Sequence, residues 1–212
     1  NKILEAALAN QAVYYHRIGT PQAEDVLVYA RPDQPAWIVN ATVTDDGRYV
    51  LLRTYKGADN NNQLHVIDLV DADAPVISRD IRPLIETIDA EYTPIGNRGS
   101  QLFVRTDKDA PNRAIVAMDL DRPGSVATVV PEGPQAIEGA VLAGSRLVVH
   151  YLADVQSRLQ VCHLDGRADR DLALPGLGAV SELRARSDHD HAWFIFSSPL
   201  SPATVYRADL AQ

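Results

Sequence analysis

A single cysteine, Cys162, stands in a chain of 212 residues, so no disulfide framework can form within it. That scarcity fits a cytosolic home and fits a bacterial periplasm equally well. No apolar run approaches the ~18 residues of a membrane span, so a soluble protein with no membrane partner is expected. Charge of one sign is nowhere gathered into a block. The 20 Lys+Arg and 28 Asp+Glu, net −8, are scattered along the chain. Phosphate contacts need clustered Lys and Arg, so nucleic acid is not an expected partner. Three motifs are also missing: a G-x-S-x-G nucleophile elbow, a G-x-x-x-x-G-K-[ST] phosphate loop and a G-x-G-x-x-G turn. Ser100, Ser125 and Ser145 each follow a glycine, but none has the elbow's flanking pattern. These gaps argue against serine catalysis within these residues and against a cofactor.

What is present is repetition. LHVIDL at 64–69, AIVAMDL at 114–120, LQVCHLDG at 159–166 and TVYRADL at 204–210 are apolar runs that close on a polar residue and Leu. A fainter copy, VYYHRIG, lies at 13–19. With Ile18, Leu69, Leu120, Leu164 and Leu210 as equivalents, the spacings are 51, 51, 44 and 46 residues. A period in that range built from strands alone indicates β-propeller blades. A β-sandwich is also made of short strands, but it carries no such period. The fold class read from this pattern is all-β, with about four to five blades of four-stranded antiparallel sheet.

Each unit repeats one order of elements. A first strand leads to a polar turn: DDGR at 45–48, NRGS at 97–100, AGSR at 143–146 or SDHD at 187–190. Gly and Asp there supply left-handed backbone for short hairpins. The second strands follow at once, at 49–55, 101–106, 146–152 and 192–198, and are apolar at consecutive positions. Continuous apolarity predicts burial on both faces, as between neighbouring blades. More polar fourth strands are expected at 25–30, 76–81, 125–130 and 170–175. Pro32, Pro35, Pro83, Pro131, Pro134 and Pro175 are expected between units. The blades read as a partial one at 1–34, three whole ones at about 36–82, 88–131 and 136–176, and a partial last one at 179–212. The opening NKILEAALANQ resembles a signal peptide, but Glu5 interrupts its short apolar stretch, and an amphipathic turn is the better reading. Asn1 in place of an initiator Met reads as the start of a piece of something longer.

Several clusters invite chemistry. Asp188, His189, Asp190 and His191 resemble metal ligands, yet they occupy a hairpin turn where polar residues are expected, with no third partner. Asp59 to Asn62 lacks the register and closing Glu of a calcium loop. Glu86, Asp89 and Glu91 would need a cleft to do acid–base work. His16, His65, His150 and His163 sit singly within strands and read as structural. No metal site is expected.

Specific stretches also resemble a known family. YYHRIGTPQAEDVLVYA (14–30), PAWIVNATVTDDGRYVLLRTYKGAD (35–59), LIETIDAEYTPIGNRGSQLFVRT (84–106) and FSSPLSPATVYRADL (196–210) look like the propeller of prolyl oligopeptidases. APNRAIVAMDL, VVPEG and LVVHYLADVQSRLQV keep the same order between them. The resemblance implies part of a seven-bladed propeller in a serine endopeptidase that cleaves short peptides after proline. It implies that the triad lies in an α/β-hydrolase catalytic domain outside these residues, which the propeller covers as a gate that filters substrates by size. It places Ile38 and Ala58 over the substrate's non-prime side, where the family often has methionine and cysteine, and Tyr55 where some members carry arginine. The alternative for Ile38 is simple core of its strand. The competing function is a free-standing four- or five-bladed binding propeller, distinguished by whether its blades close a ring. If the blades form an open arc, Trp193, Phe194 and Phe196 would lose a neighbouring blade, and an isolated segment would self-associate.

Overall fold

The computed structural model describes residues 9–71, 75, 77 and 80–211. The expected amphipathic turn at the start therefore lies almost wholly outside the described residues, as does half of the strand expected at 76–81. The chain forms two compact units, Asn1–Glu91 and Tyr92–Gln212.

The first unit holds β1 (Ala12–Tyr15), a 3-10 turn at Gln22–Glu24, β2 (Val26–Ala30), β3 (Ile38–Val43), β4 (Tyr49–Tyr55), β5 (Asn62–Asp68) and β6 (Arg82–Ile85). The second holds β7 (Tyr92–Arg98), β8 (Gln101–Thr106), β9 (Ala114–Asp119), β10 (Val126–Val130), β11 (Ala136–Ala143), β12 (Arg146–Ala153), β13 (Gln156–His163), β14 (Ala168–Leu172), β15 (Ala179–Ala185), β16 (His191–Ser198) and β17 (Ser201–Asp209). Every sheet is an antiparallel meander in chain order: β1–β2, β3–β6, β7–β10, β11–β14 and β15–β17. The described residues are thus all-β, in five antiparallel sheets.

The repeated polar-Leu ending has a local cause. Three of the four strands that carry it stop in an Asx turn: Asp68 Oδ1 accepts the Val70 N–H at 2.8 Å, Asp119 Oδ1 that of Asp121 at 2.9 Å, and Asp209 Oδ1 that of Ala211 at 3.0 Å. The following Leu then ties back to the hairpin before the second strand. Leu69, Leu120 and Leu210 donate their N–H to the carbonyls of Arg48, Ser100 and Asp190 at 2.8, 2.8 and 2.9 Å. All three leucine side chains are buried and stop that end of the core. The third copy places its carboxylate one residue later, where Asp165 accepts the Arg167 N–H at 3.0 Å.

The second strands β4, β8 and β12 are buried at consecutive positions, as their sequences predict. β16 differs. Ala192, Phe194 and Phe196 are buried against Val148, Leu159 and Val161 of the preceding sheet, while Trp193 on the other face is 44% exposed. The period of two in a strand sends successive side chains to opposite faces, and only one face of β16 is covered. The expectation that Phe194 and Phe196 would lie open is therefore corrected, and Trp193 alone of the three does.

Two further placements are corrected. Pro83 lies inside β6, opposite His65 at a register irregularity, because an edge strand has one side on which no ladder N–H is needed. The last strand of the third four-stranded sheet is Ala168–Leu172, earlier than 170–175. In the second unit, bulges recur near the middle of the first strands, between Pro94 and Gly96, Ile137 and Gly139, and Val180 and Glu182. They add local twist where β11 lies against β7 on one side and β15 on the other.

Candidate functional site

Antiparallel order brings the start of β3, the end of β4 and the start of β5 to one end of the first unit. Ile38 opens β3 and pairs with Tyr55, the last residue of β4. Tyr55 in turn pairs with Asn62 at the start of β5. Ala58 is exposed in the connecting turn, beside Gly57, whose φ of +70° suits a residue without Cβ. The resemblance-based trio thus falls on one hairpin end. Ile38 is 37% exposed, so it is not a core residue of its strand. Tyr55 is half-buried, with the Arg53 guanidinium 5.8 Å from its ring centroid.

Around this end lies a polar network between β1–β2 and β3–β6. Arg31, just after β2, donates from Nη1 to Gln63 Oε1 at 3.1 Å and pairs with Asp33 at 2.8 Å. Its guanidinium also stacks 4.6 Å from the centroid of Trp37. Gln63 Oε1 accepts a second bond from Thr54 Oγ1 at 3.0 Å, and Gln63 Nε2 donates to the Glu86 carbonyl at 2.5 Å. On the other flank of Ile38, the Val39 N–H donates to Gln11 Oε1 at 3.0 Å, and the Asn10 N–H to the Pro35 carbonyl at 2.7 Å. The sequence singled out none of Gln11, Arg31 or Gln63. Their partners are far along the chain, and no motif marks them.

His65 lies deeper in the same seam, its ring centroid 6.1 Å from that of Tyr29. Burial, then the charge of Arg31, push its pKa down, with Glu86 opposing. Its Nδ1 is buried without a hydrogen-bond partner among the described residues. A neutral imidazole suits that setting.

The other candidates resolve into local structure. Asp188 accepts Arg186 Nε at 3.0 Å and contacts His189 Nδ1 at 2.6 Å, and these two partners hold its carboxyl well below the usual range. The His189 and His191 rings meet edge to face at 5.3 Å. Among the described residues no group of three His, Cys, Asp or Glu has metal-holding geometry. Asp59 caps a turn through the Asn61 N–H at 3.2 Å, and Asn62 is fully buried with its N–H on the Ala90 carbonyl. The Glu86 side of the carboxylate group contributes its backbone carbonyl to Gln63. His16 pairs with Asp25 across β1–β2 at 2.7 Å. His150 Nε2 and Ser157 Oγ lie 2.8 Å apart, and that hydroxyl also accepts the Val180 N–H at 2.8 Å. This pair ties β12–β13 to β15. Cys162 is fully buried, and burial pushes its thiol up to about 11, which keeps it a protonated, inert packing group. Among the described residues no helix is long and apolar enough to cross a membrane.

Consecutive four-stranded antiparallel meanders at a near-regular period define the class of β-propeller domains. The sequence profile described as "Prolyl oligopeptidase, N-terminal beta-propeller domain" matches residues 3–212. The chain belongs to the prolyl oligopeptidase family and is a part of its propeller. It is 34% identical to prolyl oligopeptidase A of Amanita bisporigera over 80% of its own length and 22% of that protein's. Its identity to the prolyl endopeptidase of Elizabethkingia meningoseptica is 26% over 97% of the chain and 28% of that protein. A solved prolyl endopeptidase superposes with a TM-score of 0.90 at 35% identity, over 98% of this chain and 30% of the other. The chain therefore spans less than a third of the length of these relatives.

Proposed function

We propose that this chain is the non-catalytic, gating part of a serine endopeptidase that cleaves short peptides after proline. The observation that carries the reading is the propeller-profile match over residues 3–212, in a chain that covers 22–30% of its peptidase relatives. In this reading the sheets β3–β6, β7–β10 and β11–β14 are whole blades. β1–β2 and β15–β17 are parts of two more, and the set belongs to a seven-bladed ring. The Ser-Asp-His triad belongs to an α/β-hydrolase domain of the same parent chain, and the propeller covers it and excludes long or folded substrates. Ile38, Tyr55 and Ala58 line the non-prime side of the bound peptide. The half-exposed Ile38 and the aromatic ring of Tyr55 offer it apolar contact and no charge.

The test compares two proteins on a chromogenic peptide with proline before the scissile bond. The full-length parent is expected to turn it over, and the 212-residue chain alone to be inert. Turnover by the isolated chain would place the nucleophile within these residues and sink the assignment. The uncovered face of β16, with Trp193 44% and the neighbouring Val205 60% exposed, further supports self-association of the isolated chain. Sedimentation is expected to show concentration-dependent mass that falls on Trp193→Ser, and a monomer at every concentration would refute it.

A further inference from the structure

Two side-chain ties hold the residues on either side of Ile38. Trp37 lies under the Arg31 guanidinium, and Arg31 is anchored to Gln63. Val39, on the edge strand, gives its outward N–H to the Gln11 side chain. Strand ends fray unless they are held, and β3 starts at Ile38 itself. The rest of β3, from Asn40 to Val43, is exposed. All of β3 is laddered to β4, but the side-chain ties are gathered around the one residue of the strand that the proposed site uses.

Gln63 is the hub because its carboxamide both accepts and donates. One oxygen takes Arg31 and Thr54, and the nitrogen holds the Glu86 carbonyl. A single side chain therefore binds the end of β2 to β4 and to the segment after β6. We infer that Gln63, acting through Arg31 and Trp37 with Gln11 on the opposite flank, positions Ile38 and so sets discrimination on the non-prime side of the peptide. This inference rests on the reading that Ile38 faces substrate. Gln63, Arg31 and Gln11 are positioning residues that touch no substrate atom themselves.

The test uses the full-length protein and two chromogenic substrates. The short one is an N-blocked proline amide, and the long one adds three residues on the amino side. Gln63→Leu keeps the bulk and removes every hydrogen bond. It is expected to raise KM for the long substrate by roughly three- to tenfold, the effect of one lost positioning hydrogen bond. Its kcat on the long substrate and both constants for the short one should stay within about twofold. Gln63→Glu keeps both acceptor contacts and is expected to recover most of the long-substrate KM. Gln11→Leu acts on the other flank, should shift the same ratio, and carries the test if Gln63→Leu does not fold. Equal changes on both substrates, or an unchanged ratio, would overturn the inference. Ile38→Gly separates the two levels. If it alters the ratio while the Gln63 and Gln11 variants do not, only the network falls. If it leaves the ratio unchanged, the substrate-facing reading falls and takes the network with it.

Discussion

Two seams between neighbouring sheets, one in each unit, combine apolar packing with hydrogen bonds in different ways. In the second unit, β7–β10 meets β11–β14 through an apolar cluster of Phe103, Ile115, Ile137, Leu147, Val149 and Cys162, and at its edge Arg105 and Arg113 donate to the backbone carbonyls of Glu138 and Ile137. In the first unit, β1–β2 meets β3–β6 through Tyr29, Val50, Leu52, Ile67 and Leu69 at one end. At the other end the seam changes to Arg31, Gln63, Thr54 and a half-buried His65. An apolar seam is non-directional and draws its strength from area. A hydrogen-bonded seam adds little net stability but fixes geometry, because each partner accepts only certain directions. The polar seam of the first unit joins side chain to side chain beside Ile38 and Tyr55, whereas the second relies on its apolar cluster, with guanidinium groups bound to backbone carbonyls at the edge.

The largest expected effect tests the cohesive role. Phe103 is fully buried, and Phe103→Ala should cost about 3–5 kcal/mol in denaturant unfolding of the full-length protein. A cost below about 1 kcal/mol would remove the apolar seam's claim to dominance. Next is Gly166, which lies against that seam. Its φ is +85°, and an added Cβ would strike the backbone carbonyl of Val129 in β10. Gly166→Ala is expected to cost about 2–3 kcal/mol, combining steric overlap with left-handed strain, and a neutral result would show that the turn moves freely.

The polar seam should respond less. Gln63→Leu is expected to lower stability by about 1 kcal/mol, since three hydrogen bonds are lost while bulk is kept. A loss matching that of Phe103→Ala would erase the distinction between the seams.

Single buried groups in the two seams should give stability opposite responses to pH. His65 has its pKa pushed down in the fold by burial and by Arg31. Below the unfolded value of about 6.5 the unfolded chain binds the extra proton, so stability is lost as pH falls from there towards the folded pKa. His65→Gln should flatten that acid slope. Cys162 has its thiol raised to about 11 by burial, from 9.0. The unfolded chain deprotonates first, so its stabilisation is full below 9 and lost as pH rises towards 11. Cys162→Ala should flatten the alkaline slope and leave the acid one unchanged. Melts across pH 5 to 11 would check both, and an acid slope that survives His65→Gln would move the titration to another group such as His150, which burial also pushes down.

Most of the architecture is legible in the sequence. The Leu spacings identify repeated strand units, and the DDGR, NRGS and AGSR turns fall between the first and second strands of their sheets. The carboxylates of the closing motif act within two residues of themselves, so short-range pattern suffices to find them. Reading failed where neighbours in space are not neighbours in chain. Nothing local in AWFIFSS says that Phe194 and Phe196 find cover while Trp193 does not. Pro83 read as a linker residue because a proline signals punctuation, and only the edge position of β6 makes it acceptable within a strand. Ile38, Tyr55 and Ala58 were placed by resemblance, and only register shows that the first two are paired.

The sequence by itself determined the all-β class, the repeat and the turns, because each is written in periodicity and in contacts a few residues long, and it pointed to the family through the resemblance of whole stretches. The tertiary structure decided which polar groups meet. Arg31 and Gln63 are separated by 32 residues, and Gln11 and Val39 by 28. A hydrogen bond between single side chains at such separations leaves no periodic trace, since it depends on how two sheets are brought together. The conditions that hold Ile38 in place are therefore visible only in the folded chain.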